Sequence, residues 1–185
     1  GYAYEQAGNF GQAIVYYGRA LDMHPNLVHV LIGIGRAHTM TEVGKAQEYF
    51  RRAIKLDPLS AEAHDRLAGV YSFLGERELA RQSLEKALEI DPKRVSAIVK
   101  RGALNLQSQL YDDAVIDYTR AFSEAQSQQV ALMAADYLNF GIALQSQSLA
   151  NCPKAAPLFQ QAAALIPGDD DWQKRVKTFQ LRCGR

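Results

Sequence analysis

The chain of 185 residues lacks the marks of most function classes. Its charges nearly cancel: 21 Lys and Arg stand against 20 Asp and Glu, a formal net charge of +1. That balance argues against a general electrostatic grip on nucleic acid or an anionic membrane surface. No apolar run approaches the ~20 residues that cross a bilayer, and no secretory leader is visible. No Gly-rich phosphate loop, HExxH, GxSxG or CxxC occurs, so no motif points to an enzyme. Two cysteines and four histidines leave few ligands for a stable metal centre. No metal and no cofactor is expected. The first residue is Gly1, not Met, which leaves open a leader, an anchor or a further domain ahead of it.

Proline is scarce too, six residues in all, but four of them close the same phrase. KALEIDP ends at Pro92, RAIKLDP at Pro58, RALDMHP at Pro25, and a weaker QAAALIP at Pro167. Aligned on alanine, five copies open at Ala13, Ala46, Ala80, Ala114 and Ala155, spaced 33, 34, 34 and 41 residues. Four residues on stands a large side chain: Tyr17, Phe50, Leu84, Tyr118, Phe159. Seven residues on stands another alanine: Ala20, Ala53, Ala87, Ala121, Ala162. Positions i, i+4 and i+7 share one helix face, here small, large, small, so a second helix can approach closely. Proline then ends the helix. A second periodic segment precedes each of these, seen as His64, Leu67, Ala68 and Tyr71, with Gly75 at the turn. The matching sets are Leu31, Ile34, Gly35 and His38; Ile98, Arg101, Gly102 and Asn105; Tyr137, Phe140, Gly141 and Leu144. His38 and His64 therefore read as packing residues, and His24 as a helix-end cation beside Pro25.

These motifs resemble the tetratricopeptide repeat (TPR) family. H-x2-L-A-x2-Y from His64, then Ala80-x3-Leu84, then Pro92 follow the pattern W-x2-L-G-x2-Y…A-x3-F…P. His64 replaces Trp and Ala68 replaces Gly. The resemblance runs from residue 1 to about 168. It implies an all-α fold, a right-handed α-solenoid of about five helix-turn-helix units in one domain, 1–185. The units fall at about 1–27 (partial), 28–60, 61–94, 95–131 and 132–168. Residues from about 169 to 185 form a capping helix, with Trp172, Val176, Phe179 and Cys183 on its apolar side. Unit four lacks its proline and runs on through SEAQSQQ.

The resemblance also implies a function: a non-enzymatic adaptor or scaffold that binds a protein or peptide partner during assembly of a larger complex. In the family the first helix of each unit lines a concave groove. The positions so assigned are Glu5, His29, Ile32, Arg36 and Met40, then Glu62, Asp65, Arg66, Gly69, Ser72 and Phe73. Further along they are Ser96, Val99, Lys100, Ala103, Leu106 and Gln107, then Leu138, Asn139, Ile142 and Gln145. Mixed apolar and charged residues suit a protein segment better than a polyanion. His29 has no companion ligand there. The family's clamp for acidic chaperone tails is not matched: Asp65 and Gly69, or Val99 and Ala103, stand where Lys and Asn would be needed. Alternative readings are a regulatory or export-related domain of a longer chain, or self-association through the incomplete first repeat.

Helix geometry adds one more expectation. Cys152 is placed in the turn before the last unit's second helix, about 154–166, and Cys183 at the end of the capping helix. Two antiparallel helices of about equal length, each roughly 20 Å, bring the cysteines level. A Cys152–Cys183 disulfide follows, and with it an oxidising compartment such as a periplasm. The alternative is two free thiols, with Cys183 buried as a small apolar residue.

Overall fold

The computed structural model describes residues 1–183. Eleven α-helices stand among them: α1 (Tyr2–Gln6), α2 (Phe10–Met23), α3 (Val28–Thr39), α4 (Val43–Leu56), α5 (Ala61–Phe73), α6 (Arg77–Ile90), α7 (Val95–Gln107), α8 (Tyr111–Gln128), α9 (Ala134–Gln147), α10 (Cys152–Leu165) and α11 (Asp170–Arg182). The chain forms two compact units, Gly1–Arg94 and Val95–Arg185. The first holds three helical hairpins, α1–α2, α3–α4 and α5–α6. The second holds α7–α8, α9–α10 and the helix α11 that follows.

The recurring phrase has a local cause. In KLDP and EIDP the helix ends at Leu56 and Ile90, and the aspartate turns the chain. Asp57 accepts a hydrogen bond from the Leu59 amide (3.1 Å), and Asp91 from the Lys93 amide (3.2 Å). Such side-chain turns compete with continued helix. The next helix then starts on a fresh cap: the Ser60 hydroxyl accepts from the Ala63 amide at 3.3 Å. Where unit four lacks this phrase, α8 runs 18 residues and stops on Gln129, whose φ of 55° is left-handed. The turns inside three hairpins use the same conformation, at Gly8 (φ 72°), Gly75 (φ 78°) and Gln109 (φ 61°).

Packing follows the small-large-small pattern. All five opening alanines are buried, as are Phe50, Leu84, Tyr118 and Phe159. The large side chain fills the space opposite a small residue of the first helix. A methyl group added at Gly35 would stand 2.5 Å from Phe50 Cε1, and at Gly141 2.5 Å from Phe159 Cε1. At Gly102 it would stand 3.3 Å from the Tyr118 ring. Aromatic rings thus oppose glycine. At the matching slots of unit three the pair is Ala68 with Leu84, a methyl larger on one side and a ring smaller on the other. In the second unit, Phe159 also carries α11 through Val176, Trp172 and Phe179, with the Phe159 and Phe179 rings 6.2 Å apart.

Gly141→Ala therefore overpacks α9 against α10 and should destabilise by about 1–3 kcal/mol. Adding Phe159→Leu, the pairing of unit three, should recover part of that loss. A double-mutant cycle by urea unfolding measures the coupling; additive single-site costs would contradict the fit described here.

Candidate binding surface

The first helices α1, α3 and α5 bring a line of charged side chains together. Arg36 on α3 grips Glu5 on α1 with two bonds: Nε to Oε1 and Nη2 to Oε2, each 2.7 Å. Its Nη1 donates to Glu62 Oε1 on α5 at 3.3 Å, and Arg66 Nη2 donates to the same oxygen at 3.4 Å. The Tyr17 hydroxyl donates to Glu5 Oε2 at 2.9 Å. The Glu5 side chain is only 11% exposed. Burial works against its charge, but the Arg36 and Tyr17 hydrogen bonds outweigh burial and hold its pKa below the ordinary carboxylate value. Burial first, then the Glu5 bond, push the Tyr17 phenol up to about 12. The ladder ties three successive repeats through paired charges, and a planar fork on a carboxylate is the strongest form of such a bond.

Beside this ladder two large apolar side chains stay in water. Met40, just past the end of α3, is 68% exposed, and Phe73, closing α5, is 75% exposed. His29 and Ser72 are exposed as well, and Gly69 is half-buried.

Not every groove position faces outward. Ile32 is 5% exposed and belongs to the core. Asp65 is wholly buried, where it accepts from Arg94 Nε at 2.9 Å. Its role is to tie α5 to the segment after α6. Leu138 and Gln145 are also buried. The Gln145 amide donates to the Phe179 carbonyl and approaches Cys183 Sγ, each at 2.9 Å, so α11 covers that slot. In the second unit Ser96 and Gln107 are exposed, while Val99, Lys100, Ala103, Leu106, Asn139 and Ile142 are half-buried. Val99 and Leu106 pack against the Tyr118 cluster, and Ile142 against the Phe159 cluster. One polar pin escaped sequence reasoning: Arg101 grips the buried Asp117 (2.6 and 3.0 Å), and Asn105 joins it at 3.0 Å. Arg101 and Asn105 sit in slots the repeat reserves for packing, which hid their pairing.

Cys152 and Cys183 are joined by a disulfide, with Cα atoms 5.3 Å apart. Cys152 is the first residue of α10, not part of the turn before it, because the helix begins two residues earlier than its sequence pattern suggests. His38 is buried, stacks on Tyr49 with centroids 5.7 Å apart, and lies 3.9 Å from Glu42. Burial outweighs Glu42 and lowers its pKa below 6.5. His64 is half-buried with Nε2 3.1 Å from the Pro58 carbonyl oxygen. Among the described residues no group of three His, Cys, Asp or Glu side chains could hold a metal ion, and no helix is long and apolar enough to cross a membrane.

Paired helices stacked on small-for-large contacts, with a decorated first-helix side, define a helical-repeat scaffold. Residues 1–27, 37–58 and 61–94 match the sequence profile named tetratricopeptide repeat, and the chain belongs to that family. A TPR repeat-containing thioredoxin of Arabidopsis thaliana, TTL4, is 35% identical over 80 residues, which are 42% of this chain and 11% of that protein. Small glutamine-rich tetratricopeptide repeat-containing protein 2 of Mycosarcoma maydis is 28% identical over 107 residues, 56% of this chain and 29% of that protein. The chain thus spans between about a tenth and a third of these curated relatives. Among solved structures, TTC0263 of Thermus thermophilus, a thermophilic TPR protein, has a TM-score of 0.73 at 18% identity, covering 96% of this chain and 93% of that one. MamA gives 0.68 at 23% identity over 88% and 91%. YrrB, described as a TPR protein with an unusual peptide-binding site, gives 0.64 at 18% over 95% and 87%. At these identities the likeness is one of fold. That fold is a protein-interaction scaffold, and its members are generally not enzymes.

Two outcomes follow. The disulfide closes a loop across a sequence separation of 31, so Cys152→Ser with Cys183→Ser should cost the second unit about 3–4 kcal/mol in the chain-entropy model. Thermal melts with and without reductant measure it; identical melts of the oxidised wild type and the double variant would contradict the staple. His38 sets a pH window. Its folded pKa lies below its unfolded value, so the unfolded chain binds the proton first and stability falls as pH drops below about 6.5. The loss levels off once pH passes the folded value. His38→Tyr, the residue unit three carries at that slot, should flatten urea midpoints between about pH 7 and 5.

Proposed function

We propose that the chain is a scaffold whose first-helix face holds a segment of a partner protein while a larger complex assembles. The observation that carries this reading is the pair Met40 and Phe73, large apolar side chains left in water beside a charged ladder. Solitary exposed apolar residues are ordinary. Here two stand at the ends of two successive first helices, α3 and α5. Partner segments anchor through a few such residues, with polar neighbours fixing register. Arg36 and Glu62 supply that register, since their charges already neutralise one another and present no surplus to attract a polyanion. The peptide-binding site in the description of YrrB is that protein's own, and it supports the reading only as an instance of what this fold can hold.

The ladder dictates how the reading is tested. Arg36→Glu would strand the nearly buried Glu5 and loosen the stack, so lost binding would mean little. Met40→Ser with Phe73→Ser removes anchors without touching a hydrogen bond. Peptides selected from a random twelve-residue library against the wild type should bind the double variant at least about tenfold more weakly, a loss of ~1.4 kcal/mol, with an unchanged melting curve. Equal binding by both proteins would move the partner surface off this face.

A further inference from the structure

A second surface of the first unit is lined by residues outside the first-helix set described above. Between α4, α5 and α6 the side chains leave a cleft of about 240 Å³. Its floor is apolar, from Ile54 on α4 and Leu67 on α5. Its rim carries two cations, Arg51 from α4 and Lys86 from α6, with His64 and Ser83 beside them. No acidic side chain among the described residues lines it.

Arg51 is the unusual member. Its guanidinium donates to the Tyr71 hydroxyl through Nε (3.3 Å) and Nη2 (3.0 Å), and Cζ lies 5.9 Å from the centre of that ring. The partner is a neutral phenol. The arginine is therefore held in place while its positive charge meets no carboxylate within 4 Å among the described residues. Lys86 does have one, Glu89 at 2.6 Å, but both groups are more than half exposed and three residues apart on one helix. Such pairs are worth little and exchange readily. A positioned Arg with its Nη1 donors in hand is suited to an incoming carboxylate.

We propose that this cleft binds an acidic peptide segment of a partner, with a branched aliphatic side chain on the Ile54–Leu67 floor and a flanking carboxylate on Arg51 and Lys86. Size supports a side chain over a cofactor, because sites for drug-sized ligands begin at about 300 Å³. The apolar floor disfavours a bare phosphate, which would leave that floor wet and lose part of its own hydration. The site lies apart from Met40 and Phe73 and does not depend on the first-helix reading.

The test is a titration of the full chain, followed by the backbone amide of Ser83 and the ring protons of His64 in NMR spectra. The probe is acetyl-Glu-Leu-Glu-amide. Controls are acetyl-Gln-Leu-Gln-amide, which lacks charge, acetyl-Glu-Gly-Glu-amide, which lacks the apolar side chain, and inorganic phosphate. Saturable shifts are expected with the first probe, at an affinity about tenfold better than either control peptide. Arg51→Gln and Lys86→Gln, on two different helices, should each weaken it about tenfold, while Met40→Ser with Phe73→Ser leaves it unchanged. Each substituted cation is solvent-exposed, so both variants should melt within a few degrees of wild type. Equal affinity for the uncharged peptide, indifference to Arg51→Gln, or displacement by millimolar phosphate would overturn the assignment.

Discussion

Everything else in this molecule rests on a constraint of volume. Each hairpin closes only because a ring or a leucine on the second helix meets a residue with almost no side chain on the first. Interiors packed to the density of organic crystals do not tolerate one extra methyl at such contacts. The chain obeys this four times with glycine against an aromatic ring, at Gly1, Gly35, Gly102 and Gly141. Where alanine stands in place of glycine, the opposing residue shrinks to Leu84. The repeats differ in sequence, yet the volume of each pair is kept. That conservation of volume inside one chain is why a hairpin can recur with so few identical residues.

Polar groups then settle what volume leaves undecided. Apolar faces are slippery, since many offsets bury similar area. The Glu5–Arg36–Glu62–Arg66 ladder joins neighbouring hairpins of the first unit, and the Asp65–Arg94 contact ties α5 to the segment after α6. Arg101, Asn105 and Asp117 pin the two helices of one hairpin in the second. Each places a carboxylate under cover, where losing its cation costs far more than the pair gains in water. Misplaced stacking is thereby penalised, and the same contacts leave the first-helix face electrically quiet, so that Met40 and Phe73 are its most distinctive features.

The fold was legible because its rule is periodic. Alanines repeating at 33 or 34 residues, with a large residue four on, mark helices, faces and turns together. The candidate surfaces were legible only in part, for a physical reason. Slot numbering places a residue on a face but not at a depth. It put Ile32 and Asp65 on the same face as Met40, whereas the first two lie inside and the third in water. Depth depends on which neighbour covers the slot, as α11 covers Gln145, and no single repeat contains that information. The Arg51 cleft was invisible for a related reason: Arg51 and Lys86 occupy positions that the repeat leaves free, so no pattern marks them.

The bond between Cys152 and Cys183 has a consequence beyond folding energy. It spans a sequence separation of 31 and encloses α10 and α11 in a covalent ring. A machine that moves polypeptide through a narrow pore takes in one extended strand at a time. Entering from the carboxyl end, it meets Cys183 first and must then admit three strands side by side, the chain before Cys183 and both arms of Cys152. Unfolding the helices does not open that ring; only reduction does. The redox state of one bond therefore decides whether this chain can be threaded from that end at all.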